Sequence, residues 1–216
     1  MWGFAVLEQR VFAMEDVAAV RALISGHGWA TLVSDGGDAG PVVSHLPVIL
    51  DPEDDGVVVL GHLARRDAES HRLGERQAVL VVQGPHGYVS PSFYRAGPYV
   101  PTWNYVVAHL HGRPEPLGPE ETYAVLSATV DHFEAVRPKP FRLADVEEYG
   151  RRIAPGTAGF RLVPARIAAK AKLSQDKPAE VVERVIRALD EDPVHARPEL
   201  AAAMRAARST GPDRRA

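Results

Sequence analysis

The sequence predicts an α+β fold in which helices surround an antiparallel β-barrel. Strand patterns, short and rich in valine, dominate the first half of the 216 residues. Helical patterns and one more pair of strands fill the second half. No internal repeat and no long linker interrupts the chain. We therefore expect a single domain over residues 1–208 and a polar, disordered tail over residues 209–216.

The first half begins with a short helix and continues as strands separated by tight turns. Apolar residues at three- and four-residue spacing, Val17, Val20, Leu23 and Ile24, predict a helix over 16–27 that ends near two glycines. A short helix is also expected over 64–73. The predicted strands are 29–34, 41–50 with a break or bulge at Pro47, 57–62, 78–83 and 105–112.

The second half is mainly helical. Pro119 at a first turn predicts a helix that runs to about Val136, and its apolar side chains are expected in the core: Tyr123, Leu126, Val130 and Phe133. Further helices are predicted over 145–153, 178–189 and 198–208. A strand pair is predicted over 159–163 and 166–173.

Composition excludes several classes of function. The chain has no cysteine, so disulfides, thiolate nucleophiles and Cys-ligated metals are impossible. The formal net charge of -3 and the lack of a helix-turn-helix pattern make nucleic acid an unexpected partner. Neither a signal peptide nor a long apolar run is evident, so we expect a cytoplasmic protein that does not associate with membranes. Hydrolase and P-loop motifs are absent from the sequence.

The stretch 84–112 concentrates prolines, aromatic residues, hydroxyls and histidines. Four prolines, at positions 85, 91, 98 and 101, argue against one long helix or a central strand there. Such a stiff loop either holds the polar side chains of a site or simply closes the barrel, and the sequence leaves both interpretations open. The side chains concerned include Tyr88, Ser90, Ser92, Trp103 and Asn104.

Five histidines lie within or beside predicted strands: His45, His62, His86, His109 and His111. Imidazole can bind iron or transfer protons near neutral pH, but a strand histidine is more often a hydrogen-bonded structural residue. His62 differs from the others because it ends a strand, with Arg65 and Arg66 just beyond it. Two cations at a strand end are a suitable place for a phosphate or a haem propionate.

A second cluster follows the last predicted strand. Alternation places Lys170, Lys172 and Ser174 on one face, beside a helix that starts at Pro178. The helix N-terminus would add amide donors for an anion. The alternative is an exposed edge strand on which lysines prevent aggregation.

Five short motifs follow one another along the chain: SHLP (44–47), GHLAR (61–65), GPHGYVSPSFY (84–94), VPTWNY (100–105) and KLSQ (172–175). In this order they resemble the PaiB-like family, the FMN-binding negative transcriptional regulators with a split-barrel fold. The resemblance covers about 31–189. It implies a split antiparallel β-barrel that forms a homodimer, with a cofactor cleft at or near the subunit interface.

The resemblance leaves two cofactors open, because split barrels of this kind hold either FMN or haem. The family includes haem-dependent piperazate synthases of natural-product (antibiotic) pathways, which close an N–N bond in N5-hydroxyornithine to give piperazic acid. The chain departs from the usual PaiB pattern at two places: it begins Met-Trp-Gly-Phe, and KLSQ is followed by Asp176 and Lys177. The stretch 152–160 and the helix from Pro198 resemble the piperazate-synthase branch more than the regulators.

The favoured interpretation is accordingly a haem b enzyme that acts on an N-hydroxylated amino acid. His62 is its expected iron ligand, and Lys172, His109 or Tyr88 would supply the base or acid. The other expected cofactor contacts are Arg65, Ser90, Ser92, Trp103, Lys172 and Ser174. The alternative is an FMN-binding oxidoreductase or transcriptional regulator, in which Arg65, Ser90, Ser92 and Lys172 would contact the phosphate.

Overall fold

Eight hydrogen-bonded strands form the framework of the protein. The computed structural model describes residues 9–209. The strands are β1 Trp29–Ser34, β2 Val42–Leu50, β3 Val59–Ala64, β4 Ala78–Val89, β5 Thr102–Gly112, β6 Glu115–Pro116, β7 Thr157–Leu162 and β8 Arg166–Lys172. Their order in the sheet is β6-β7-β3-β2-β1-β4-β5-β8. The predicted strands are therefore present, and β1 has the predicted limits.

Pro47 does not break β2, contrary to the prediction. Residues 42–47 of β2 pair with β1, and Val48 begins the pairing with Gly61 of β3. Pro47 therefore lies where β2 changes its partner. A residue without an N–H group is tolerated there because it interrupts neither ladder.

The stretch that begins at Gly84 is not all loop, because β4 continues to Val89 through Pro85. The prediction that prolines exclude a central strand is wrong for this part. The pairing of β4 with β1 ends at Val82, opposite Ala30. Pro85 lies beyond that ladder, so its missing N–H group removes no hydrogen bond to β1.

The strands β7 and β8 do not pair with each other, although the sequence predicts them as a pair. Leu162 of β7 lies opposite Val59 of β3, whereas β8 neighbours β5 at the other end of the strand order. Between them, the N–H group of Ala165 donates to the carbonyl of His111, at 2.8 Å. This bond turns the chain away from β7 instead of closing a hairpin.

Seven helices accompany the strands within residues 9–209. They are α1 Val17–Gly26, α2 Arg65–His71, α3 Pro91–Tyr94, α4 Pro119–Glu134, α5 Glu147–Ile153, α6 Ala179–Glu191 and α7 Pro198–Ser209. Their starts follow local chemistry: the carboxylate of Asp16 accepts from the N–H group of Ala18, and Glu121 accepts from that of Gly118. None of these helices is long and apolar enough to cross a bilayer. Residues 210–216 of the predicted tail lie outside the described residues, whereas Ser209 ends α7.

The face of α4 that is buried differs from the predicted one. Its buried residues are Thr122, Val125 and Thr129. Phe133, predicted to lie in the core, is 46% exposed. The predicted core residues Leu126, Val130 and Phe133 instead line a cavity, which is described below.

Residue contacts divide the described chain into two interleaved compact units. The larger unit consists of Glu15–Gln83 and Ala108–Ala168, and the smaller unit consists of 9–14, Gly84–Val107 and 169–209. Fully buried side chains such as Ile24, Leu32 and Phe160 form the core of the larger unit. In the smaller unit, α6 and α7 pack together through a second group: Val185, Leu189, Leu200 and Met204. The single domain expected over 1–208 stays a prediction.

Candidate functional site

An apolar cavity of about 450 Å³ lies beside His62 in the larger unit. The apolar stripe of α4 supplies one wall, with Leu126, Val130 and Phe133. Phe141 and Ile153 also line the cavity. The volume falls within the range of pockets that take small organic ligands. A cavity with such walls suits a flat, largely apolar group.

His62 is held in this cavity by strand pairing on both sides of β3. The residue lies opposite Gly159 of β7, and its neighbour Gly61 packs against the ring of Phe160. A Cβ atom at position 61 would come within 2.6 Å of that ring, so the close approach of the two strands requires glycine there. In the GHLAR motif, Gly61 is thus required for packing, and His62 lines the cavity.

The Nδ1 atom of His62 is buried and has no hydrogen-bond partner. Burial also lowers the pKa of His62, so the imidazole is neutral near pH 7. A buried nitrogen without a partner costs about 1–3 kcal/mol relative to a satisfied one. A neutral, unsatisfied imidazole of this kind is suited to bind a metal or to accept a proton.

Arg65 lies at the start of α2 and is partly engaged by the backbone. Its Nε donates to the carbonyl of Pro155 at 2.6 Å, and its Nη2 donates to that of Thr157 at 2.9 Å. Thr157 itself lines the cavity. The predicted cation is therefore close to the edge of the cavity, with Nη1 left to meet an anionic group.

Tyr123 is a residue whose part in this region sequence reasoning missed. Its hydroxyl is buried and has no hydrogen-bond partner. A Cβ atom built on Gly150 would lie 3.2 Å from this hydroxyl oxygen, and Gly150 lines the cavity. The 3.6-residue periodicity predicts that the tyrosine ring is buried, but it does not show whether the hydroxyl has a hydrogen-bond partner.

His109 lies in β5 and belongs to the larger unit. Burial and the nearby charge of Arg166 lower the pKa of His109, and they lower the pKa of His111 as well. Arg166 Nη2 lies 2.8 Å from His111 Nε2. The two histidines share one face of the strand, as predicted from their spacing. His109 is therefore a neutral base near pH 7.

Lys172, in the smaller unit, is bonded to the strand beside it. Its ammonium donates to the carbonyl of Trp103 at 3.0 Å and to the hydroxyl of Thr102. Burial lowers the pKa of Lys172. The ring of Trp103 meets the ring of Tyr88 edge to face, with centroids 6.2 Å apart. Three predicted site residues, Lys172, Trp103 and Tyr88, are thus brought together.

Ser174 takes a different direction from Lys172. It is 4% exposed, and its hydroxyl accepts from the buried Asn104 Nδ2 at 2.9 Å. Its backbone has a φ of 65°, in the left-handed region. The predicted alternation of Lys172 and Ser174 ends because the strand ends at Lys172.

Ser90 and Ser92 form a local cap. The Oγ of Ser90 accepts from the N–H group of Ser92 at 3.2 Å and lies 2.8 Å from the Oγ of Ser92. These bonds start the four-residue helix α3 after Pro91. The hydrogen-bonding groups of the two hydroxyls therefore pair with each other and with the N–H group of Ser92.

The predicted site residues fall into two groups. His62, Arg65 and His109 belong to the larger unit, and Tyr88, Ser90, Ser92, Trp103, Lys172 and Ser174 belong to the smaller unit. Within residues 9–209, no three His, Asp or Glu side chains are placed to hold a metal ion. One imidazole does not provide enough ligands to hold a free metal ion. It can, however, serve as the axial ligand of haem iron, because the porphyrin supplies the other ligands. The roles assigned to these residues stay predictions.

Comparison with known proteins finds a matching family model and a curated relative. A family model described as "Putative FMN-binding domain" matches residues 8–166. The "Protease synthase and sporulation protein PAI 2" of Bacillus subtilis is 31% identical over 145 residues, which are 63% of this chain and 67% of that protein.

Two solved structures share the fold. The FAD and haem binding protein from Mycobacterium smegmatis aligns with a TM-score of 0.57 at 17% identity, covering 79% of this chain and 78% of that one. The flavocytochrome Anf3 from Azotobacter vinelandii aligns with a TM-score of 0.58 at 19% identity, covering 82% and 78% of the two chains. The predicted α+β split antiparallel barrel with peripheral helices is confirmed.

Proposed function

Because the chain belongs to this FMN-binding-domain family, we propose that it is a cofactor-binding protein that holds a planar flavin or haem in the cavity beside His62. The observation that carries the proposal is the buried, unpartnered Nδ1 of His62 at an apolar cavity of about 450 Å³. A ligand that binds the imidazole would remove the cost of the unmade bond, and its ring would cover the apolar walls.

FMN is the candidate that the family favours. The apolar walls suit its ring system, but its phosphate needs cations or N–H donors. Among the described residues that line the cavity, the one charged side chain is Glu134, whose carboxylate pairs with Arg137 at 3.1 Å, so this lining offers a phosphate no cation. The FMN phosphate would therefore rely on the free Nη1 of Arg65.

Haem is the candidate that the geometry favours. Its macrocycle is apolar and needs one axial imidazole, which His62 would supply. Its propionates need not enter the cavity and could meet Arg65. The names of two proteins that share the fold are consistent with this choice: one is described as binding FAD and haem, and the other as a flavocytochrome.

The visible spectrum tests the cofactor. The protein is reconstituted with haem or with FMN, and the Soret band or the flavin band is measured after gel filtration. We expect a Soret band in the wild-type protein and its loss or shift in His62→Ala. His45→Ala is the matched control because His45 is an exposed strand histidine bonded to Thr31. Retention of flavin without haem would select FMN, and an unchanged Soret band in His62→Ala would contradict the role of His62.

We further propose that the haem-loaded protein closes an N–N bond, as piperazate synthases do. In this reaction the α-amine of N5-hydroxyornithine attacks N5, the N–O bond breaks, and water leaves with a proton from the amine. Haem, when bound, would supply a Lewis-acidic iron for departure of the hydroxyl. None of the three predicted bases and acids belongs to the described lining of this cavity; we assign proton acceptance to His109, because it lies in the same unit as His62 and burial keeps its imidazole neutral. Lys172 and Tyr88 remain the alternatives.

Product analysis tests this activity. The haem-loaded protein is incubated with N5-hydroxyornithine, and piperazic acid is sought by mass spectrometry. We expect no product from His62→Ala and a rate lowered about 100-fold in His109→Ala, the usual effect of losing a general base. His45→Ala should retain full activity. A haem-loaded protein that forms no product would leave the cofactor proposal intact and reject the N–N reaction.

A further inference from the structure

A second cavity, of about 490 Å³, lies in the smaller unit, and none of the described residues that line it also lines the cavity beside His62. It is lined by Tyr88, Trp103, His195 and Arg197. The first two lie on the strands β4 and β5, and the other two lie in the connection between α6 and α7. Sequence analysis singled out the two aromatic residues but neither His195 nor Arg197.

Aromatic rings form the walls of this second cavity. The rings of Tyr88 and His195 are tilted, with centroids 5.0 Å apart, and Tyr88 also meets Trp103 edge to face. His86 stacks on Trp103 from outside the lining, with centroids 6.5 Å apart. Although Trp103 is held through its carbonyl by Lys172, 54% of the residue remains exposed. A flat ligand could pack against the faces and edges of these rings without rearranging them, and it would bury the exposed surface of Trp103.

Arg197 supplies the positive charge of the second cavity. Packing against β4 and hydrogen bonds within its loop fix the position of this arginine. A Cβ atom on Gly87 would lie 3.0 Å from Arg197 Cγ and 3.1 Å from Leu200 Cδ2, so the arginine stem packs closely against the glycine in β4. The N–H groups of Val194 and His195 donate to the carboxylate of Asp192, at 3.0 and 2.7 Å, and fix the loop. Arg197 Nη1 donates to the carbonyl of Ala196 at 2.6 Å.

The polar groups of the lining suit an anion. Arg197 is permanently charged and keeps further N–H donors besides the one bonded to Ala196. The indole of Trp103 offers only a donor, and Tyr88 and His195 can each donate. The four lining residues within 9–209 include no acidic side chain. The cavity therefore combines a positive, donor-rich end with aromatic walls.

We propose that the second cavity binds a small planar anion of the aromatic carboxylate class. The carboxylate pairs with the guanidinium of Arg197, and the ring packs against Tyr88 and Trp103. Arginine suits a carboxylate because its planar fork matches the two oxygens. This binding activity goes beyond the proposed cofactor function, since it concerns another cavity and another ligand.

Titration with benzoate, followed by calorimetry, tests the proposal. We expect saturable binding to the wild-type protein and affinity weakened about tenfold or more in Arg197→Gln, because a hydrogen bond to a charged group is lost. Arg187→Gln is the matched control: Arg187 is an exposed arginine of α6 outside the lining, and its variant should bind as the wild type does. Cyclohexanecarboxylate and benzamide should each bind more weakly, because one lacks the flat ring and the other lacks the charge.

A second pair of variants tests the same geometry without removing the arginine. Gly87→Ala should weaken benzoate binding by displacing the stem of Arg197, and Trp103→Leu should weaken it by removing a ring. Circular dichroism confirms that each variant is folded. Absence of saturable benzoate binding by the wild-type protein overturns the proposal. So does equal affinity of Arg197→Gln and the wild type, or an equal loss in Arg187→Gln.

Discussion

At the scale of single residues, Gly61 and His62 have separate tasks although they are adjacent in the chain. Gly61 lets β3 approach Phe160, which is fully buried, and His62 presents its ring to the cavity. The unpartnered Nδ1 of His62 is tolerated at a cost in stability. The GHLAR motif therefore places a cavity-lining side chain directly beside a residue required for packing.

Gly61→Ala should destabilise the protein by about 1–3 kcal/mol, the usual effect of inserting a methyl group into a packed core. The new Cβ atom would meet Phe160 and, at 3.1 Å, Val48, and neither side chain is free to move away. Urea unfolding measures the change in the free energy of unfolding. Gly26→Ala is the control, because no heavy atom lies within 4 Å of its Cβ position. Equal stability of the two variants would contradict the packing argument.

At the scale of elements, His71 connects α2 to two strands. Its Nδ1 lies 2.8 Å from the hydroxyl of Ser34 at the end of β1, and its Nε2 lies 3.0 Å from that of Ser44 in β2. The residue is 1% exposed. Both ring nitrogens are satisfied, in contrast to Nδ1 of His62, so His71 is a structural histidine. Sequence reasoning did not single it out, because its partners lie 27 and 37 residues away.

The stability of the protein should fall as the pH decreases below about 6.5, the ordinary pKa of histidine. Burial lowers the pKa of His71 in the folded state, against a smaller opposite effect of Asp67. The unfolded chain therefore binds more protons in this range, and protonation favours unfolding until the pH passes the lowered pKa. The free energy of unfolding should be measured in urea at pH 7 and pH 5.

His71→Asn should be less stable than the wild type at pH 7 and should lose less stability on acidification. Part of the pH dependence should remain, because burial lowers the pKa values of His62 and His109 as well. Parallel pH profiles of the variant and the wild type would show that His71 does not contribute.

At the scale of the whole molecule, exposed apolar side chains are concentrated after α4 and along α5. Phe141 is 44% exposed, Tyr149 and Ile153 are each 53% exposed, and Val136 is 89% exposed. Apolar surface of this kind marks sites of association. We propose that this surface forms the homodimer interface that the family resemblance implies, between two copies of the chain.

The mass in solution tests this proposal. The wild-type protein should have twice the mass of one chain in size-exclusion chromatography with light scattering. Val136→Asp combined with Tyr149→Asp should shift it toward the monomer, since the charges would have to be buried without partners. Val100→Asp is the control, because Val100 is 77% exposed but belongs to the smaller unit. A monomeric wild-type protein would reject the interface.

The amino-acid sequence by itself determined the elements whose pattern is local. The strand 29–34 and the helix α6, with Val181, Val185, Ile186 and Leu189 buried, follow from alternation and from 3.6-residue periodicity. The ordered motifs also identified the family and the split-barrel fold, and they selected His62 as the residue of interest.

Only the tertiary structure decided what depends on distant partners. Pro85 could join a strand because the ladder to β1 ends at Val82, and β7 and β8 separated because their partners lie at opposite ends of the sheet order. The unsatisfied Nδ1 of His62 and the approach of Arg197 to the aromatic cavity are equally non-local. Periodicity reports which side of an element is apolar, whereas hydrogen-bond satisfaction and cavity formation depend on groups that folding brings from elsewhere in the chain.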